Sequence, residues 1–185
     1  MPGVKLDHVA IGLWRWEDAV ELFEERLGGA RSGGHDGVPF GFRQWEFAGG
    51  GRLEIVYPAG PPDGFLHPKR AQGIVVQMVE QRPREGGEDW PAARPRSDAA
   101  QIRGLRLSAK SAEAARSQWG ELLGGSGFIQ GDALIFRWEE SPLVLLVDVD
   151  PDRDEGPLQL ELSAARDLGL PDGSYPGFGT RFLQV

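Results

Sequence analysis

An internal repeat constrains this chain more than any other feature. Ile102 to Gly125 aligns without gaps on Leu6 to Gly29. Leu6, Val9, Ile11, Phe23 and Leu27 meet Ile102, Leu105, Leu107, Trp119 and Leu123, while Glu17 meets Glu113 and Ala19 meets Ala115. The glycine pair Gly28-Gly29 meets Gly124-Gly125. Amphipathic periodicity alone would give the apolar matches, but not a shared glycine pair at equal strand-to-helix spacing. The chain is therefore read as two copies of one structural unit.

The first copy opens with Leu6-Asp7-His8-Val9-Ala10-Ile11-Gly12. Period-two alternation puts Val4, Leu6, His8 and Ala10 on one strand face and Val9, Ile11 and Leu13 on the other, so both faces are expected to be covered. Taken alone, a histidine there is a hydrogen-bonded core residue more often than a ligand. Trp16, Ala19, Val20, Phe23 and Leu27 then recur at helical spacing, with Glu17 and Asp18 at the positive end of the helix dipole. No Ser, Thr, Asp or Asn precedes Trp16 as an N-cap, and Gly28-Gly29 stops the helix. Arg31 to Val38 is a glycine-rich irregular strand or loop that exposes His35. Phe40 to Phe47 and Arg52 to Tyr57 read as strands around Gly49-Gly50-Gly51. The order is strand, helix, strand, strand, strand.

The second copy repeats it. Ser111 is the expected N-cap of a helix burying Ala112, Ala115, Trp119 and Leu122, followed by strands over Phe128 to Trp138, Leu143 to Val149 and Leu158 to Leu162. On this count Leu158-Gln159-Leu160 takes the place of Leu53-Glu54-Ile55, so His8 becomes Gly104 and Glu54 becomes Gln159. The predicted organisation is a first module over 1–64, a hairpin over 65–80, a Pro/Arg/Gly-rich solvated linker over 81–99, a second module over 100–165, and a tail over 166–185 ending in a strand from Thr180.

Composition narrows the chemistry. The 185 residues include no cysteine, so any metal must use histidine, carboxylate or amide ligands. A net charge of −8 and a pI near 4.9 oppose general attraction to nucleic acid or anionic lipid. No apolar run approaches the roughly 18 residues of a membrane span, and the start carries no basic-then-apolar leader, so the expected location is cytoplasmic, with no membrane and no nucleic-acid partner.

Two strand-helix-strand-strand-strand modules, with Leu-Asp-His-Val-Ala-Ile at the first strand and Gly-Arg-Leu-Glu-Ile-Val-Tyr-Pro at the fourth, resemble the vicinal oxygen chelate superfamily. That group includes glyoxalase I, methylmalonyl-CoA epimerase, extradiol dioxygenases and bleomycin-resistance proteins; the similarity is closest to its epimerase-like and glyoxalase-like branch. The resemblance implies an α+β fold of two βαβββ modules whose curved mixed sheets form a half-barrel, with an extra β-hairpin between them. It implies a divalent metal (Mn, Co, Fe or Zn) held by His8 and Glu54, with Gln77 in a position where relatives carry a glutamate ligand. His67, before Pro68, is similar to a turn residue that is not a ligand. In relatives a strand, a helix and a further strand precede the segment resembling Phe65 to Glu80; here only Pro58 to Gly64 intervenes, and the missing piece would carry a second histidine ligand.

Two functions of different class follow. The first is a metal-dependent epimerase or lyase, in which the metal stabilises an enolate of a small α-oxygenated substrate and Glu54 serves as the catalytic carboxylate. The alternative is a metal-free small-molecule binding or sequestering protein with a degenerate site, holding its ligand against Phe42, Trp45 and Tyr57. A blander third reading is a folded relative without activity. The 65–80 hairpin needs a sheet edge, which a homodimer would supply.

Overall fold

The computed structural model describes residues 6–13, 15–37, 40–58, 94–139, 141–178 and 180–185. The expected 65–80 hairpin and Gln77 lie outside them, as does most of the 81–99 linker.

Strand β1 (Val9–Gly12) leads into helix α1, a 3₁₀ turn over Trp16–Ala19 that continues as a wide π-type helix over Glu21–Arg26. Strands β2 (Ala30–His35), β3 (Phe40–Glu46) and β4 (Arg52–Pro58) follow. The hydrogen-bonded order is β1-β4-β3-β2, with β1 parallel to β4 and the other pairs antiparallel.

The second copy begins with β5 (Gln101–Ala109) and helix α2 (Ala112–Ala115, continuing wide over Arg116–Leu122). Next come β6 (Ser126–Gln130), β7 (Ala133–Arg137) and β8 (Val144–Val149). The order β5-β8-β7-β6, again with a parallel first pair, reproduces the first sheet. Two further strands, β9 (Gly156–Ser163) and β10 (Arg181–Gln184), continue the sheet on the other side of β5.

The repeat extends to single hydrogen bonds. Leu27 donates to the carbonyl of Leu22 and Gly29 to that of Phe23; at the matching positions Leu123 donates to Gln118 and Gly125 to Trp119. Gly28 and Gly124 have φ of 76° and 70°, the left-handed region that only glycine enters without strain. The second glycine of each pair lets an aromatic close in: a Cβ on Gly29 would lie 2.6 Å from Phe47, and one on Gly125 2.9 Å from Trp138. Ser111 caps α2 as expected, accepting from the Ala114 amide at 3.2 Å.

The half-barrel is overturned. Among the described residues neither sheet curls or closes: each runs in line between two edges, one four strands wide and the other six. Among the described strands β1 ends the first sheet, whereas its counterpart β5 is interior, because β9 and β10 extend the second sheet past it. The α+β class stands, with two open mixed sheets.

Three smaller expectations change with it. Phe128 to Trp138 is a hairpin rather than one strand, turning at Gly131 with φ of 60°. Therefore β8, not Leu158 to Leu162, takes the place of β4. Ala10 faces Glu54 across β1 and β4, Arg106 faces Leu146 across β5 and β8, and Glu54's counterpart is Leu146 rather than Gln159. In α2 Leu123 is buried while Leu122 is 74% exposed. A π-type turn takes more than four residues, so the residue below Trp119 is the fourth one on rather than the third.

One apolar cluster spans both copies, including Leu22, Phe23, Trp45 and Leu53 from the first and Leu107, Trp119, Phe136 and Leu160 from the second. The tail closes it: Phe182 of β10 and Phe178 lie 6.4 and 5.6 Å from the ring of Phe23. The end of the expected solvated linker is docked as well. Arg96 donates its backbone amide to Gly28, and Ala99 and Ala100 are buried. No helix among the described residues is long and apolar enough to cross a membrane.

Candidate functional site

Strand alternation divides the first sheet cleanly. One face, packed under α1, carries Val9, Ile11, Trp45, Leu53 and Ile55; the other carries His8, Ala10, Gly12, Phe42, Gln44, Glu54 and Val56, fixed by the pairs Ala10 with Glu54, Gln44 with Glu54 and Phe42 with Val56. Ala10 and Gly12 are exposed, so this second face is uncovered along β1, while Gln44 and Glu54 at its centre are buried as the sequence suggested.

His8 and Glu54 meet there. His8 Nε2 stands 3.6 Å from Glu54 Oε1, an ion-pair distance too long for a hydrogen bond. Protonated His8 donates from Nδ1 to Asp7 Oδ2 at 3.0 Å, and Arg52 donates to the same oxygen at 3.3 Å. Glu54 is 7% exposed, so its charge is held mostly away from water. Burial of His8 works against its charge, but the Asp7 hydrogen bond and the Glu54 carboxylate outweigh it and push its pKa up to about 9. At neutral pH the site is an imidazolium between two carboxylates, with Arg52 balancing the charge.

The three expected ligand-lining aromatics do not sit together. Phe42 shares the open face with His8 and Glu54. Trp45 faces the core with no exposure, its ring 5.2 Å from Phe23 and its indole N–H donating to Glu24 at 2.9 Å. Tyr57 is also on the α1 side, where its hydroxyl donates to Asp36 and the Arg43 guanidinium lies 5.7 Å from its ring. Burial and the Asp36 carboxylate push the Tyr57 pKa up to about 12. His35 is exposed at the end of β2.

Three neighbours went unnoticed in the sequence: Asp7, Arg52 and Gln44. Asp7 adjoins His8, Arg52 is two residues from Glu54 and so shares its face, and Gln44 is buried directly across from Glu54. Period-two counting along β3 and β4 would have found the last two once the strands were paired.

Tested as a metal centre, the described residues supply one imidazole nitrogen and one carboxylate. No group of three or more His, Asp or Glu side chains among them could hold an ion. Zinc sites use three or four protein donors, so this pair is not a complete centre. The Asp7 hydrogen bond is nonetheless the kind of contact that orients a metal-bound histidine.

No protein-family model matches the chain, and no curated protein matches its sequence. Solved structures give distant likenesses. A hypothetical protein from Staphylococcus aureus is 7% identical with a TM-score of 0.42, the match covering 97% of this chain and 65% of that one. A glyoxylase/bleomycin resistance protein/dioxygenase domain from Frankia sp. EAN1pec is 12% identical, covering 80% and 95%, with a TM-score of 0.29. BphC, a halotolerant catechol dioxygenase, is 11% identical, covering 89% and 52%, with a TM-score of 0.30. This chain thus spans less than two thirds of the first and third of these. At these identities and scores the likenesses assign no family, no activity and no residue role.

Proposed function

We propose that this protein binds a small oxygenated organic molecule on the open face of its first sheet, the metal-free alternative of the two functions. The observation that carries this reading is the His8–Glu54 pair at 3.6 Å, set beside the exposed Ala10 and Gly12. Such a pair offers a ligand one charged donor, His8 Nε2–H, and one carboxylate acceptor, while Phe42 and Val56 supply apolar wall. Asp7 fixes the imidazole, so a ligand oxygen finds the donor already aimed. The same pair has the elements of proton transfer, with Glu54 able to take a proton and His8 able to return one.

Ligand-detected NMR with α-hydroxy and α-oxo acids tests this reading. Ligands of this site bind the wild type and lose roughly tenfold in affinity with His8→Ala and with Glu54→Gln, the scale of one hydrogen bond to a charged group. Binding unchanged in both variants would exclude the site.

A metal-dependent epimerase or lyase is the second reading, favoured by the Asp7 hydrogen bond to Nδ1. It requires a third donor beyond the described residues, for which Gln77 is the candidate. Elemental analysis of tag-free protein decides it: stoichiometric metal that His8→Ala abolishes supports this reading, and metal-free protein after incubation with Mn, Co, Fe and Zn removes it. A homodimer paired through 65–80 belongs to either reading, and sedimentation as a monomer at high concentration would refute it.

A further inference from the structure

The equivalent face of the second sheet carries different chemistry. Gly104 stands where the first copy has His8, Arg106 where it has Ala10, and Leu146 where it has Glu54. The face holds an open-sided pocket of about 440 Å³ lined by Arg106, Gln130, Asp132, Ala133, Ile135, Leu146 and Asp148. That volume falls in the range of small-molecule sites.

Charge decides what would fit. Arg106 donates to Glu161 at 2.9 Å and to Asp148 at 2.8 Å, so its guanidinium is matched by two carboxylates and is a poor anchor for an added anion. Asp132, in the β6–β7 turn at the cavity rim, makes no ion pair among the described residues. The balance around the cavity is therefore negative. Ala133, Ile135 and Leu146 form an apolar floor beside it, since Leu146 lies opposite both Arg106 and Ile135 in the ladder. One rung on, fully buried Ser108 lies opposite Asp148 on the same face, and its hydroxyl has no hydrogen-bond partner among the described residues.

We infer that this cavity is a second ligand site, distinct from the His8–Glu54 face, which takes a small organic ammonium with a hydrocarbon body. The ammonium sits between Asp132 and the Asp148 side of the Arg106 network, and the hydrocarbon rests on Ile135 and Leu146. An unmatched carboxylate at the rim of an apolar floor selects a cation over a neutral molecule of the same shape.

Benzylamine, benzyl alcohol and benzoate serve as matched probes, titrated at neutral pH into the full chain and followed by amide chemical shifts. Benzylamine is expected to perturb residues 130–135 and 146–148, with the alcohol bound roughly tenfold more weakly and benzoate not at all. Asp132→Asn, an exposed turn substitution that leaves the core intact, should weaken benzylamine by a similar factor, and Leu146→Trp should abolish binding by filling the floor. Equal binding of amine and alcohol, preference for benzoate, or benzylamine binding untouched by Asp132→Asn would each overturn the inference, as would no benzylamine binding at all. His8→Ala should leave benzylamine binding unchanged, which separates failure here from failure of the first site.

Discussion

His8 should remain protonated well above the ordinary histidine range, and the fold should weaken when it loses that proton. Its pKa is raised from 6.5 to about 9. The folded value exceeds the unfolded one, so the imidazolium's contribution is fully present below about pH 6.5 and is lost as pH rises through about 9. At about 1.4 kcal/mol per pH unit the gap corresponds to roughly 3 kcal/mol. The His8 side chain is only 18% exposed, so solvent screening removes little of this. Two measurements check the reasoning. Imidazole NMR should give a titration midpoint near 9, which Glu54→Gln lowers by removing one of the two carboxylates. Denaturant unfolding should then show the wild type losing more stability than His8→Gln between these pH limits; the variant subtracts every other group, Tyr57 included. A midpoint at or below 6.5, or equal loss in both proteins, would refute the ion-triad account.

Other substitutions test the scaffold. A Cβ on Gly104 would lie 2.6 Å from the Val144 carbonyl oxygen, which is backbone and cannot turn aside; Gly104→Ala should cost about 1–3 kcal/mol in denaturant unfolding, and a neutral result would refute the close approach. Phe182 is 2% exposed amid Phe23, Tyr175 and Phe178, so Phe182→Ala should cost about 3–5 kcal/mol and lower the melting temperature by roughly 10 °C. The guanidinium groups of Arg31 and Arg43 lie 4.8 and 5.1 Å from the Trp16 ring. Trp16→Leu should therefore destabilise by about 1–2 kcal/mol, against little change if the stacking is incidental.

What the sequence made legible was local and periodic. The glycine pairs could be read because a helix stop with positive φ and a close aromatic neighbour both demand glycine. The Ser111 cap could be read because a side-chain oxygen before a helix has a fixed task. The phase of α2 could not, because a π-type turn changes the period that the stripe argument assumes. The hairpin at Gly131-Asp132 carried a turn signal, yet the apolar residues on both sides were joined into one strand. That single omission moved the strand count and assigned Glu54's counterpart to Gln159, which in the fold lies across β5 from Leu146.

The site shows the same division. His8 and Glu54 were paired in the sequence only through the family resemblance; the fold brings them together because β1 lies parallel beside β4. Phe42 and Trp45 could never share a ligand, since residues an odd number apart on one strand point to opposite faces; that argument needs no coordinates. Where the His8 face is uncovered does need them, because Ala10 and Gly12 are exposed along β1 while Gln44 and Glu54 beside them are buried. The two copies then diverge on equivalent faces. The first keeps a histidine and a carboxylate beside a small residue, Ala10; the second replaces both with Gly104 and Leu146 and turns the small residue into Arg106. Gly104 leaves no room for a side chain, so the second face cannot regain a His8-type donor without displacing β8. A charge introduced at Arg106 instead needed carboxylates of its own, which Asp148 and Glu161 provide. One fold unit therefore carries two polar clusters of different chemistry, and a ligand of the kind proposed for the first should not compete for the second.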